Sequence, residues 1–186
     1  MGLPPTFHLG FMNAWWLILP LLLTAAYICT AKKELARRMS DMTGYNARER
    51  FFTVSASLAP YPFMIATVWT PFTALKSALY PGLVLYTIGA ALFFTTVRVF
   101  VTTPPGRPFF GGPYRISRNP FYVAATLMFL GICVVTMNMI LLAWLLMMCV
   151  PQHFMILAEE RMCREKFGAD FERYMAKVPR YLLFKT

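Results

Sequence analysis

Charged residues are scarce in this 186-residue chain, which has 8 Asp and Glu against 18 Lys and Arg. All four charged types are absent from the stretches 1–31, 51–75, 77–97 and 121–158. Each stretch is long enough for a membrane-crossing helix of about 20 residues. With 58% hydrophobic residues, a water-soluble domain of this size would carry more apolar surface than its core can bury. The sequence therefore predicts an all-α, polytopic membrane protein.

Cysteine is also sparse, and its spacing excludes two kinds of site. No Cys-x-x-Cys pair occurs among the four cysteines, which are Cys29, Cys133, Cys149 and Cys163. Three of them lie in the apolar stretches and the fourth follows the last stretch. We therefore expect no metal site and no disulfide framework.

The last charge-free stretch, 121–158, is too long for a single span. As one helix, with a rise of about 1.5 Å per residue, it would be roughly 57 Å long. The hydrocarbon core of a bilayer is only roughly 30 Å thick. Thr136 and Asn138 flank Met137 near its middle and predict a hairpin turn there. Five spans are predicted in all, at about 11–30, 51–71, 79–100, 121–136 and 139–158.

The basic residues predict the orientation of these spans. All Lys and Arg except Lys76 lie in 31–50, from Arg98 to Arg118, or after residue 158. By the positive-inside rule the loops and the C-terminus are cytosolic, and an odd number of spans puts the N-terminus outside. Topology and anionic lipid headgroups thus account for the net charge of +10, and we expect no nucleic-acid partner.

A single membrane domain, 1–186, is predicted, without a linker or an internal repeat. Its parts are three spans in 1–100, a cytosolic loop in 101–120, the hairpin in 121–158 and a cytosolic tail in 159–186.

The cytosolic segments have different predicted structures. Residues 31–50 extend the first helix, turn at Thr43-Gly44 and anchor at the interface. The loop before the hairpin is not helical, because prolines and glycines recur through it. In the tail, a helix continues to Phe167 and stops at Gly168, and Asp170 caps a short amphipathic helix.

Two polar clusters flank the predicted hairpin. The sequence GGPYRISRNPFY, residues 111–122, precedes it, and Glu159-Glu160 follows it. Because a hairpin returns the chain to the same face of the membrane, the clusters are expected to lie close together. The first offers backbone N–H groups, tyrosine hydroxyls and guanidinium groups. The second offers carboxylates at the membrane boundary, where ionised groups are costly unless they meet a partner or water.

These clusters resemble the integral-membrane methyltransferases that include isoprenylcysteine carboxyl methyltransferase and the phospholipid N-methyltransferases. The family pattern is approximately G-x-Y-x-x-x-R-H-P-x-Y, a helical hairpin, E-E, F-G-x-x-(F/Y)-x-x-Y and a terminal Pro-Arg. The resemblance covers about the C-terminal 75 residues. It is carried by Gly112, Tyr114, Arg118, Pro120, Tyr122, Glu159, Glu160, Phe167, Gly168, Phe171, Tyr174, Pro179 and Arg180.

The resemblance implies methyl transfer from S-adenosylmethionine to a lipophilic acceptor that reaches the site from the bilayer. The acceptor is a prenyl-cysteine carboxylate, a phospholipid amine or another small hydrophobic molecule. Arg118 and Glu160 are implied as catalytic residues, and His153 and Tyr174 as acceptor contacts. The implied cofactor contacts are Gly112, Pro113, Tyr114, Arg118, Asn119, Pro120, Tyr122, Glu159 and Glu160.

Asn119 stands where the isoprenylcysteine enzymes usually have His. An asparagine side chain donates and accepts hydrogen bonds but takes up no proton, so a general base at this position is excluded. Amine methylation would then need Glu160, His153 or bulk water as the proton acceptor. Pro151 is expected to kink the last span near His153, and the kink and the His side chain would then shape an acceptor pocket. Alternatively, His153 forms hydrogen bonds between helices.

Two other functions fit parts of the sequence. Membrane reductases of the sterol or steroid type have a loosely similar polar loop and terminal helix and use a reduced nicotinamide cofactor, but the Glu-Glu pair has no obvious role in them. A non-catalytic accessory protein is the third interpretation, for which Asn119 is the main argument. The expected partners are a lipophilic substrate and membrane lipids, with no obligatory protein partner.

Overall fold

The computed structural model describes residues 10, 12–104 and 106–182. This part of the chain contains no β-strand, only one isolated bridge between Asn13 and Pro71, so the predicted all-α class is confirmed. The helices are α1 (Leu19–Ala31), α2 (Lys33–Met39), α3 (Ala47–Leu58), α4 (Pro60–Thr67), α5 (Lys76–Thr102), α6 (Pro120–Thr136), α7 (Met139–Phe167) and α8 (Ala169–Lys177).

Among the described helices, α5 and α7 are long and apolar enough to cross a membrane. Large apolar side chains on both point outward, and Ile88, Met147 and Val150 are each more than half exposed. Exposed apolar surface of this extent marks a face that contacts lipid or a partner. Helices α1 and α6 are also apolar but shorter.

The first two predicted spans differ from the observed helices. The chain forms a 3-10 turn at Ala14–Leu17 and becomes α-helical only at Leu19. In place of one helix over 51–71 there are two, α3 and α4, which meet at Ala59. Pro60 has no N–H to donate and begins the second of them. The indole of Trp144 donates to the Ala59 carbonyl at 2.9 Å and supports this joint.

The predicted hairpin turn at 136–138 is confirmed. Helix α6 ends at Thr136, and Met137 then adopts a left-handed conformation with φ 51°. The Asn138 side chain accepts hydrogen bonds from the backbone N–H groups of Ile140 and Leu141, at 2.9 and 3.2 Å. It thereby caps α7, because those N–H groups have no partner within the helix.

The predicted end of the long helix at Phe167 is also confirmed, and α7 continues through Pro151 to reach it. Gly168 follows with φ 52°, a conformation that glycine adopts at little cost. The prediction that Asp170 caps the next helix is wrong, because α8 already begins at Ala169 and Gly168 is its N-cap. Asp170 instead lies in the first turn, where its charge suits the helix dipole.

Helices α5 and α6 approach each other closely through glycines. A Cβ atom added at Gly131 would lie 2.7 Å from the backbone nitrogen of Tyr86. One added at Gly89 would lie 2.8 Å from the backbone nitrogen of Met128. Small residues permit such close packing between membrane helices. This seam fixes α6, and with it the polar loop that leads into the helix.

Gly131→Ala is therefore expected to destabilise the protein by about 1–3 kcal/mol, although alanine is the better helix former. The added methyl group would meet backbone, which yields less readily than a side-chain end. Thermal unfolding in detergent micelles measures the effect. Gly111→Ala is the matched control, because its Cβ would meet nothing within 4 Å. Equal stability of the two variants would contradict the close approach.

Candidate functional site

The polar loop before α6 and the Glu-Glu pair on α7 meet, as the sequence predicts. The Tyr122 hydroxyl donates to Glu159 Oε1 at 2.6 Å. The Asn119 amide Nδ2 donates to Glu160 Oε1 at 2.9 Å. Both contacts join the beginning of α6 to one turn of α7, so the hairpin brings the two clusters into direct contact.

Glu160 is the centre of a buried polar network and is 5% exposed. Its Oε1 lies 3.2 Å from Nε of Arg118, and its Oε2 accepts from Nε of Arg180 at 3.0 Å. Asn119 contacts Oε1 as well, so both carboxylate oxygens have protein partners. A buried charge is tolerable when it is paired and hydrogen-bonded in this way.

Arg118 connects this network to the tail of the chain. Its backbone N–H donates to the Pro179 carbonyl at 2.8 Å, and its Nη1 donates to the Met175 carbonyl at 3.3 Å. Burial lowers the pKa of the guanidinium, and the adjacent Glu160 carboxylate opposes that shift. The Ser117 hydroxyl adds a bond of 3.0 Å to the Arg180 carbonyl. The loop and the tail are therefore held as one unit.

Two tyrosines link α8 to the loop. The Tyr174 hydroxyl donates to the Tyr114 carbonyl at 2.7 Å. Burial raises the pKa of both hydroxyls, so that they remain neutral at physiological pH. Tyr114 stands in a 3-10 turn, Gly112–Arg115, and is 6% exposed. Its ring stacks on Phe109, with 5.6 Å between the ring centroids.

A cavity of about 400 Å³ lies beside the network. Pockets for small molecules typically have volumes of about 300–1,000 Å³. Aromatic rings form much of its wall, and carboxylates, an amide and guanidinium groups form the rest. The predicted site residues that line it are Tyr114, Arg118, Asn119, Tyr122, Glu159, Glu160 and Tyr174.

Four predicted site residues do not line the cavity: Gly112, Pro113, Pro120 and His153. Gly112, with φ 57°, and Pro113 form the turn that positions Tyr114. Pro120 begins α6 and is buried there. The Nδ1 atom of His153 lies 2.7 Å from the Tyr181 hydroxyl, so this side chain contacts the tail, away from the cavity. The first three shape the site, and His153 lies at the contact between α7 and the tail.

One wall of the cavity was not predicted from the sequence. The segment between α2 and α3, interpreted only as an interfacial anchor, contributes Asp41, Thr43 and Tyr45. Arg107 and Lys166 also line it, from the loop and from α7. The Thr43-Gly44 dipeptide marks a turn, but no spacing in the sequence relates that turn to Arg161, which is more than 100 positions later.

Arg161 fastens this segment to α7. Its Nη2 donates to the Gly44 carbonyl at 3.0 Å, and its Nε and Nη2 donate to the Glu49 carboxylate at 2.7 and 2.6 Å. Glu49 also completes a capping box with Asn46 at the start of α3. Arg161 thus connects the 41–45 wall to α7.

The Glu49–Arg161 pair predicts a pH dependence of stability. Hydrogen bonds from Arg161, and then from the Asn46 backbone, lower the pKa of Glu49. A lowered pKa in the folded state contributes stability above the unfolded value of about 4.3 and loses it as pH falls through the folded value. We expect the thermal midpoints of wild type and Glu49→Gln to differ by a constant amount from about pH 7 to 5 and to converge below about pH 4. A constant difference down to pH 3 would contradict this.

A model of a known protein family matches the region around the cavity. Residues 82–170 match the model of the phospholipid methyltransferase family. The match confirms the resemblance to membrane methyltransferases and begins earlier than the motif residues, within α5. It includes the loop, the hairpin and the Glu-Glu pair, and it ends in α8 before Tyr174 and Arg180. No curated protein and no solved structure matches the chain.

Proposed function

We propose that this protein transfers a methyl group from S-adenosylmethionine to a lipophilic acceptor dissolved in the membrane. The observation that carries the proposal is the cavity between the loop, α7 and α8, which is lined by the residues of the methyltransferase motif. The family match over 82–170 favours this function over the reductase and accessory-protein alternatives.

The residues of the cavity fit the chemistry of that cofactor. Glu159 has one oxygen bound to Tyr122, and its other oxygen suits the ammonium group of an amine acceptor beside the cofactor. The rings of Tyr114 and Tyr122 offer faces to a cationic sulfur. Arg107 and Lys166, both exposed at the cavity, suit a carboxylate better than Arg118, which is already committed to Glu160 and Met175. When bound, the cofactor supplies a methyl group activated by its sulfonium.

The protein's own contribution is mainly positioning and exclusion of water. Arg118 and Glu160, implied as catalytic by the resemblance, hold the loop against the tail and so fix the wall of the cavity. Tyr114, Asn119 and Tyr122 form the part of the wall that receives the cofactor, and Glu159 and Tyr174 stand where the acceptor reaches it. The burial and the hydrogen bonds of each side chain support these roles.

In the membrane we propose five spans, formed by α1, by α3 with α4, by α5, by α6 and by α7. The basic loops, the cavity and the tail then face the cytosol, and the N-terminus lies outside. A lipid acceptor enters laterally from the bilayer, and the cofactor enters from the water. The description of the matched family supports a phospholipid amine as the first acceptor to test, with a prenyl-cysteine carboxylate second.

Purified protein in lipid nanodiscs tests the proposal. Wild type should bind S-adenosylmethionine in calorimetry and transfer a labelled methyl group into a total lipid extract, in which mass spectrometry names the acceptor. Glu159→Ala should abolish the transfer. Glu172→Ala, an exposed carboxylate on α8, is the control and should retain it. Absence of cofactor binding by wild type would contradict the proposed function.

A further inference from the structure

We propose that Glu159, positioned by Tyr122, is the proton acceptor for an amine substrate. This inference rests on the proposed methyl transfer. An amine arrives in its ammonium form at neutral pH and must lose a proton before its nitrogen can attack. Asn119, in place of the family's His, takes up no proton, so another group at the cavity has this role.

The structure separates the two adjacent glutamates by their partners. Both oxygens of Glu160 are occupied, by Arg118 and Asn119 on one side and by Arg180 on the other. Its carboxylate therefore has no oxygen left to contact a substrate in the cavity. Among the described residues, Glu159 has one hydrogen-bond partner, the neutral hydroxyl of Tyr122. One of its oxygens therefore stays available to a ligand in the cavity.

The other candidate acceptors fit less well. His153 lies outside the cavity, with Nδ1 held 2.7 Å from the Tyr181 hydroxyl. Asp41 lines the cavity, but hydrogen bonds from Thr43 lower its pKa, and it is exposed to water. A general base is most useful when its pKa lies near the operating pH and when it sits beside the reacting atom. Glu159 is the cavity carboxylate that no cation neutralises among the described residues.

Tyr122 acts as a positioning residue. Its hydroxyl donates to Glu159 Oε1 at 2.6 Å, which orients the carboxylate of a side chain that lines the cavity. The ring itself is packed against Phe121 and lines the same cavity. The geometry is that of a base oriented by a neighbouring donor, as in other proton-transfer sites.

In the proposed step, proton loss precedes methyl transfer. The ammonium nitrogen gives a proton to Glu159 and keeps the electron pair of that N–H bond. The pair forms the new N–C bond while the carbon–sulfur bond breaks, and the electrons of the broken bond remain on sulfur as a neutral thioether. The product is a methylated ammonium, and Glu159 returns its proton to water before the next cycle.

Glu159→Gln is the decisive variant, because the amide keeps the size of the side chain and its bond to Tyr122. We expect turnover with an amine phospholipid to fall by about 100-fold or more. The dissociation constant of S-adenosylmethionine, measured by calorimetry, should stay within about threefold of wild type, a change below about 0.7 kcal/mol. In Glu159→Ala, added formate should restore part of the turnover by filling the vacated space. Glu172→Gln is the matched control and should behave as wild type.

The outcomes distinguish this inference from the proposed function. Full turnover by Glu159→Gln, or loss of its cofactor binding with the wild type active, overturns the assignment of Glu159 and leaves the methyltransferase proposal standing. Loss of turnover with binding retained, together with formate rescue, supports it. A wild type that neither binds the cofactor nor labels any lipid overturns the proposed function and this inference with it. Tyr122→Phe should lower kcat more than it changes KM for the cofactor.

Discussion

Glu160→Ala is expected to destabilise the protein by about 3–5 kcal/mol and to abolish cofactor binding, because it removes the shared partner of two arginines. The Arg118 side chain is 1% exposed and cannot turn to water for compensation. In the variant, the Arg118 charge would stay buried beside the space that the Glu160 side chain had filled. Arg180, at 19% side-chain exposure, has more freedom to become solvated.

Two further variants test the cause of this loss. Glu160→Gln keeps the shape and an acceptor for Asn119 but not the charge, so most of the destabilisation should remain. In the double variant Arg118→Met with Glu160→Leu no buried charge is left unpaired, and a large part of the stability should return. Glu165→Ala removes an exposed carboxylate from the same helix and should cost less than about 1 kcal/mol.

Thermal or denaturant unfolding in detergent micelles, with calorimetric cofactor binding beside it, measures these effects. If Glu160→Ala unfolds at the wild-type midpoint while its cofactor binding is lost, Glu160 is a ligand contact with no structural role, and the network interpretation is wrong. If the double variant is as unstable as Glu160→Ala, the loss comes from packing and hydrogen bonds more than from an unpaired charge.

The sequence predicts best those features that depend on local chemistry. Helix-breaking prolines and glycines mark the loop, and Asn138 has a short side chain that suits a helix cap. The charge-free length of 121–158 forces a hairpin whatever its packing. The hairpin alone predicts that the loop before α6 lies close to the Glu-Glu pair, because the two clusters are brought to the same membrane face.

Features that depend on tertiary contacts were not predictable in the same way. Nothing local distinguishes Glu159 from Glu160, yet one meets a tyrosine and the other two arginines. The difference arises because the tail folds back and delivers Arg180 to one of them. Likewise, Asp170 is a good capping residue by type, but the left-handed conformation available to Gly168 starts α8 earlier.

Asn119→Asp is the second substitution with a large expected effect, about 3 kcal/mol or more at neutral pH. The Asn119 amide nitrogen donates both to Glu160 Oε1, at 2.9 Å, and to the Arg180 carbonyl, at 3.2 Å. An introduced aspartate carboxylate would have no hydrogen to donate to these two acceptors. It would also place a second negative charge beside Glu160, at a position that is 7% exposed. Repulsion and lost hydrogen bonds then act in the same direction.

The effect should depend on pH, with a sign that identifies its cause. Repulsion by Glu160 raises the pKa of the introduced carboxyl in the folded state above its unfolded value of about 3.9. The variant should therefore come closer to wild-type stability at low pH, where the protonated carboxyl donates to Glu160, and should lose stability as pH rises through the raised pKa. A deficit that does not change between about pH 4 and 8 would exclude charge repulsion as the cause.

Asn119→His is the matched comparison, because it introduces the residue that the resembling family carries at this position. An imidazole N–H donates toward Glu160 as the amide does, so the variant should fold and should bind the cofactor with nearly wild-type affinity. If it does, Asn and His are interchangeable here as donors to a buried carboxylate. The function of this position is then to hold Glu160 in place, and the loss of a titrating group at residue 119 does not by itself remove catalysis.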